Sequence, residues 1–202
     1  MTTLIIAASQ NNRRPQRNRH ALREGLLVMP EVATFSAVET LRDGRRVEIR
    51  ALRHEDRYGL EEAVSRASAE SLRRRFFSVR RHFTEQEIEF FSNIDFVDHV
   101  PLVVVAEESG ESVIVGGGRY VVFEPGRAEM AFTLTDEYQG QGIGAALMRH
   151  LAAIARDAGL KELIAEVLPV NNAMLKVFEK SGLRPTIRHE PGIVHVTLHL
   201  FE

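Results

Sequence analysis

Cysteine is absent from the chain. Its absence excludes disulfides, thiolate metal sites and a cysteine nucleophile. Lysine is scarce: Lys161, Lys176 and Lys180 are the only ones, and arginine supplies the remaining positive charge. A surplus of charge of either sign is missing too. The formal net charge is −2, so no global field draws the chain to nucleic acid. No apolar run approaches the roughly 18 residues that a membrane span requires. The N-terminal apolar stretch LIIAA is too short for a secretory signal, and the arginines follow it rather than precede it. These absences predict a cytoplasmic protein with neither a membrane nor a nucleic acid as partner. Internal repeats and low-complexity linkers are also missing from the body of the chain.

What is present suits one domain with a real core, at 202 residues. Residues 1–37 read as a flexible N-terminal extension, with Arg13, Arg14, Arg17 and Arg19 set among Asn, Gln and Pro. A nucleic-acid arm would need interleaved aromatics, which this segment lacks. Residues 38–202 read as the folded domain.

ETLRDGRRVEIRAL predicts a hairpin turning at Asp43-Gly44, with Val47, Ile49 and Ala51 on one face. Leu60, Ala63, Val64 and Ala67 fall at helical spacing. SAESLRRRFFSVRRHF reads as a shorter helix, and Thr84 with Glu87 as a capping box. PLVVVAEE, SVIVGGGRYVVF and RAEMAFTLT are strands, turning at Ser109-Gly110 and Pro125-Gly126. GIGAALMRHLAAIARDAG is an amphipathic helix ended by Gly159. ELIAEVL is a buried strand, NNAMLKVFEKSG a short helix, and IVHVTLHLF an alternating strand. The order predicts an α/β (α+β) domain of one sheet with helices packed on it.

The stretch YQGQGIGAAL, from Tyr138 to Leu147, carries the chemistry. Glycines interleaved at the mouth of a helix bring bare backbone close to a ligand. The helix start adds unpaired N–H groups and a positive dipole end, which together form an anion cradle. Gly140, Gly142 and Ala145 also fit a dinucleotide-binding pattern. That pattern requires the loop to follow its strand directly and to open a long βαβ array. Here Asp136 to Gln139 intervene and an antiparallel meander precedes them. The Gly-Lys-Ser/Thr of nucleotide hydrolases is absent. A ligand-free tight turn is the simplest alternative.

Gln139-x-x-Gly142-x-Gly144 has the Q/R-x-x-G-x-G/A form of the GCN5-related N-acetyltransferase (GNAT) family. Asn171, Ala173-Met174, Phe178 and Gly182-Leu183 resemble that family's second motif, Asn … Tyr … Gly-Phe. LRDGRRVEIRALRHED, RRRFFS, AEMAFTLTDEYQGQGIG and VLPVNNAML are similar to the catalytic domain of bacterial protein lysine acetyltransferases, which modify acyl-CoA synthetases. The resemblance implies a single mixed, mostly antiparallel sheet with helices on both faces and a splay between strands 4 and 5. It implies acetyl-CoA as cosubstrate, no metal, and a protein substrate such as an acyl-CoA synthetase. In larger members this domain is fused to regulatory or synthetase-like domains, which a chain of this length is not expected to hold.

In that family the pyrophosphate of acetyl-CoA rests on the glycine loop. The resemblance therefore assigns cofactor binding to Gln139, Gly140, Gln141, Gly142, Ile143, Gly144 and Ala145. The pantetheine arm would pair with backbone of Phe132, Thr133 and Leu134 in the splay. Asn171 would hold the arm, and it also reads as a helix N-cap. Phe178 occupies the place where many members carry a Tyr that protonates the leaving thiolate, which Phe cannot do.

A lysine amine is almost fully protonated at neutral pH, so transfer needs a base. Glu129 is an acid in an otherwise apolar or small strand, on one face with Ala131 and Thr133. Desolvation there would raise its pKa toward the range of a general base, and the resemblance places the catalytic glutamate at this point. A surface glutamate on an edge strand fits the same residues. His195 and His199 share a strand face that reads as solvated rather than metal-binding. Glu85, Glu87, Glu89, Asp95 and Asp98 form a solvated face or an acidic lip for a lysine. Acetylation of a small amine and a non-catalytic acetyl-CoA-binding module fit the same motifs. The final strand offers an edge for a homodimer.

Overall fold

The computed structural model describes residues 30–76 and 94–201. A short helix α1 (Pro30–Ala33) leads into strands β1 (Ser36–Thr40) and β2 (Arg46–Ala51). Helices α2 (Arg57–Arg66) and α3 (Ala69–Phe76) follow. A meander comes next: β3 (His99–Glu108), β4 (Glu111–Glu124) and β5 (Arg127–Leu134). The chain then alternates α4 (Ile143–Asp157), β6 (Glu162–Val167) and α5 (Asn172–Glu179), ending in β7 (Arg184–Glu190) and β8 (Ile193–His199).

The eight strands form one open sheet in the order β1-β2-β3-β4-β5-β6-β8-β7. Every neighbouring pair is antiparallel except β5 and β6, which run parallel. This is the single mixed, mostly antiparallel sheet that the resemblance implied. Strand alternation gives each face its own core. On one face Val104, Met130, Leu163 and Val196 join Leu147, Leu151 and Ala155 of α4. On the other, Val103 and Ile114 meet Leu52, just after β2, and Ala63 of α2. Helices thus cover both faces.

The turn chemistry is that of the sequence. Gly44 has φ 88°, and Ser109 and Gly110 both have positive φ (54° and 86°). Two left-handed residues in a two-residue hairpin match the right-handed twist of the flanking strands.

Two expectations change. Residues 30–37, assigned to the extension, belong to the fold: α1 and the start of β1 lie there, and Val32 is buried in the core. β1 pairs with β2 as the hairpin around Asp43-Gly44 predicts, but it starts at Ser36, before the stretch in which the sequence marks that hairpin. The segment before residue 30 lies outside the described residues, as do the Thr84–Glu87 capping box and Glu85, Glu87 and Glu89. The final strand, β8, is not an edge but runs between β6 and β7. The edge is β7, whose sequence RPTIRHE has no apolar alternation and which pairs with β8 throughout its length.

Gly116, Gly117 and Gly118 occupy the middle of β4. A Cβ on Gly116 would overlap the Thr133 carbonyl, one on Gly117 would lie 2.5 Å from the Leu102 carbonyl oxygen, and one on Gly118 2.7 Å from the Phe132 ring. The three bare residues let β3, β4 and β5 approach beside a bulge between Val104 and Val105.

Candidate active site

The site begins where two strands part: the splay that the resemblance placed between strands 4 and 5 falls, in this chain's numbering, between β5 and β6. β5 pairs with β6 at only three rungs, Arg127↔Glu162, Ala128↔Leu163 and Glu129↔Ile164. β5 continues to Leu134 and β6 to Val167 without pairing each other. On its other edge β5 stays paired with β4 as far as Leu134. One edge of residues 130–134 therefore faces a gap with backbone groups that no strand satisfies, and a ligand with amides can use them. The Thr133 carbonyl turns toward Gly116 of β4. By alternation, Phe132 and Leu134 offer their backbone groups to the gap. The Leu134 carbonyl is partly engaged, accepting from Gln139 Nε2 at 3.2 Å.

Glu129 stands at the last paired rung, half-buried, where the gap opens. Ala128 and Met130 point into the core under α4, so Glu129, Ala131 and Thr133 share the opposite face. Ala131 and Thr133 line a cavity of about 100 Å³ between that face and α2, floored by Gly116, Gly117 and Gly118 and roofed by Leu60 and Ala63.

At the mouth of the gap the glycine loop enters α4. Gly140 (φ 74°) and Gly142 (φ 98°, the N-cap of α4) both require left-handed backbone. Among the described residues, no N–H from Gly140 to Gly144 donates to a backbone carbonyl, whereas Ala145 N–H is already used by Gly142 O at 3.1 Å. The cradle of free donors thus runs from Gly140 to Gly144. Ile143 contributes only backbone, since its side chain is buried in the core. At Gly144 a Cβ would lie 3.4 Å from Val177, which fits close approach of α5.

Gln139, at its motif position, also holds the loop through its side chain. Its Nε2 donates to Ser71 Oγ (2.8 Å) and Asp136 Oδ1 (3.0 Å) as well as to Leu134 O. The side chain ties α3 to the loop and holds the backbone that forms the cradle. Two residues the sequence did not single out reinforce it. Arg42 donates from its N–H to Gln141 O (3.4 Å) and from Nη1 to Gly140 O (3.2 Å). Arg45 stacks 4.3 Å from the ring of buried Tyr138, whose hydroxyl donates to Glu108 at 3.1 Å.

Asn171 caps α5, its Oδ1 accepting from Met174 N–H at 3.2 Å. Phe178 is fully buried, with its ring centroid 6.2 Å from that of Phe132. It backs the wall of the gap as packing. His195 does not face open solvent. It lies between Glu166 (3.3 Å) and Glu190 (3.4 Å). Among the described residues, no group of three or more His, Asp or Glu side chains could hold a metal ion. No described helix is long and apolar enough to cross a membrane.

A sheet parted between two parallel strands, with a glycine loop at the mouth of the following helix, is the arrangement that the resemblance implied. Residues 66–183, more than half of the chain, match the acetyltransferase (GNAT) family. The chain belongs to that family and is an N-acetyltransferase. An acetyltransferase of Pseudomonas aeruginosa is 36% identical over 138 residues, covering 68% of this chain and 74% of its own length. The acetyltransferase Pat of Mycolicibacterium smegmatis is 36% identical over 129 residues, 63% of this chain. This chain spans only 38% of Pat's length. The solved GNAT domain of S. lividans PAT superposes with a TM-score of 0.72 at 33% identity, covering 81% of this chain and 96% of that domain. The chain therefore stands close to the catalytic domain of bacterial protein lysine acetyltransferases.

Proposed function

We propose that this protein transfers the acetyl group of acetyl-CoA to the ε-amine of a lysine in a cytoplasmic protein such as an acyl-CoA synthetase, with Glu129 as general base. The observation that carries the reading is Glu129 at the last β5–β6 rung, beside the unpaired backbone of the gap. Similarity to Pat and to the PAT domain supports a protein acceptor.

The acceptor arrives as an ammonium, and Glu129 removes one proton. The amine attacks the thioester carbon directly. Backbone N–H groups of the gap, at Phe132 and Leu134, steady the oxyanion and the pantetheine amides. The N–H groups from Gly140 to Gly144 hold the pyrophosphate, with Arg42 and Gln139 keeping the loop in shape. When the C–S bond breaks, the thiolate takes the second proton of the attacking nitrogen or one from water, because Phe178 has none to give. A thiolate is a good enough leaving group for this.

The cradle makes a direct prediction. An alanine at 142 has to adopt left-handed backbone to present the N–H groups, at a cost of about 1–2 kcal/mol. Gly142→Ala should raise the Kd for acetyl-CoA roughly tenfold, measured by calorimetry, with α4 still folded by circular dichroism.

The deciding experiment is intact-mass analysis of an acyl-CoA synthetase incubated with acetyl-CoA and either the wild type or Glu129→Gln. Acetyl gained only with the wild type supports the reading. The cavity under α2, of about 100 Å³, favours a second reading, transfer to a small amine that fits it. Acetylation of small amines but of no protein would establish that reading instead.

A further inference from the structure

The face that carries Glu129 holds a second sheltered carboxylate. Residues aligned in a β-ladder point the same way, so Ile164 shares the face of Glu129, and Glu166, two residues further along β6, shares it too. Its position is just beyond the last β5–β6 rung, where the gap has opened. One interstrand spacing and two residue steps put its Cα on the order of 8 Å from that of Glu129. Its side chain is only 12% exposed.

From Glu166 a line of titratable groups leads outward. Register sets Glu166 directly across from His195 on β8, with Oε1 3.3 Å from Nδ1. His195 Nε2, buried and without a hydrogen-bond partner among the described residues, lies 3.4 Å from Oε2 of Glu190 on the edge strand β7, where the side chain is 46% exposed. An imidazole between two carboxylates takes a proton at one nitrogen and releases one at the other. The surrounding charges are few. Arg188, opposite His195, pairs with Glu190 at 3.1 Å. Glu162 lies four rungs away, 3.4 Å from His199 and 2.8 Å from Arg127 Nε. Burial raises the pKa of Glu166, with His195 opposing and Glu190 reinforcing the rise.

The reaction requires such an exit. An ammonium and an acetyl thioester become an amide and a thiol, and one proton is left over. Glu129 takes it up and must lose it before the next turnover, in a gap that the thioester fills and the acceptor covers.

We propose that Glu166, His195 and Glu190 form a proton-exit line that carries the proton from Glu129 to solvent at the β7 edge. The inference rests on the acetyl transfer proposed above. The test compares kcat of the wild type, Glu166→Gln and His195→Gln on an acceptor amine that the wild type acetylates, in dilute and in concentrated imidazole buffer. The variants should lose about tenfold or more in dilute buffer and recover to within about twofold in imidazole, with KM for acetyl-CoA unchanged. Wild-type rates in both variants at every buffer concentration would overturn the line. So would a loss that imidazole does not restore, since that marks a structural or acceptor-holding role. His195→Gln, at the outer half of the line, keeps the test decisive where Glu166→Gln fails to fold. A wild type that acetylates no amine at all overturns the parent reading and this one with it. Active wild type with buffer-insensitive variants overturns this one alone.

Discussion

Glu129→Gln is expected to lower kcat by about 10²–10⁴-fold, the usual worth of a positioned general base, while acetyl-CoA still binds with wild-type affinity. The separation follows from where the residue sits. The cradle from Gly140 to Gly144 and the backbone of Phe132 and Leu134 are main-chain groups that the substitution leaves untouched. Glutamine keeps the shape of glutamate but cannot take a proton from an ammonium. The residual rate should rise with pH, because free amine becomes more abundant as the lysine pKa is approached. Stopped assays across the alkaline range, together with calorimetric titration of acetyl-CoA, check both halves. A variant with wild-type turnover would remove Glu129 from the mechanism. A variant that no longer binds acetyl-CoA would make it a structural residue of the gap.

The second large effect concerns stability. Arg50 and Asp56 are both buried, and they form a bidentate pair, Nη1–Oδ2 2.6 Å and Nη2–Oδ1 2.7 Å. Asp56 Oδ2 also accepts from Arg53 N–H at 2.7 Å, which fixes the chain as it enters α2, the roof of the cavity. Asp56→Ala would strand a buried guanidinium, at a cost of about 3–5 kcal/mol, read as a loss in urea unfolding. The pH dependence follows from the same contacts. Burial pushes the Asp56 carboxyl up, but the Arg50 hydrogen bonds and the Arg53 N–H outweigh it and hold its pKa below the usual value. A carboxyl depressed in the folded state stabilises the protein above its unfolded pKa, about 3.9. That stability is lost as the pH falls through the lower folded value. Acid unfolding of the wild type should therefore steepen below about pH 4, and Asp56→Asn, though less stable, should show a flatter dependence there.

The site was legible in the sequence wherever a residue type is demanded by backbone chemistry. Gly140 and Gly142 could be recognised because left-handed backbone at a helix mouth admits little else. Glu129 stood out as an acid in an apolar strand. Glu166 in ELIAEV carries the same signal and went unread, because a single acid in a short buried strand gains meaning only from its neighbours across the sheet. His195 looked like part of a solvated face until the β6–β8 register set it between Glu166 and Glu190. Gln139 is instructive in a different way. Its motif position pointed to the cofactor, and its amide also ties to Ser71, 68 positions away in the chain. No local pattern encodes such a contact.

By itself the amino-acid sequence determined the order of strands and helices apart from α1 and β7, the turns, the glycine cradle and the family, since each depends on short-range periodicity, left-handed glycine or a contiguous motif. The tertiary structure alone decided where β5 and β6 part, which face Glu129 shares with the cavity and with Glu166, that β7 rather than β8 is the edge, and that residues 30–37 join the fold. Those features arise from strand register and from contacts between residues far apart in the chain, and their energy comes from burial and pairing that exist only once the sheet has assembled.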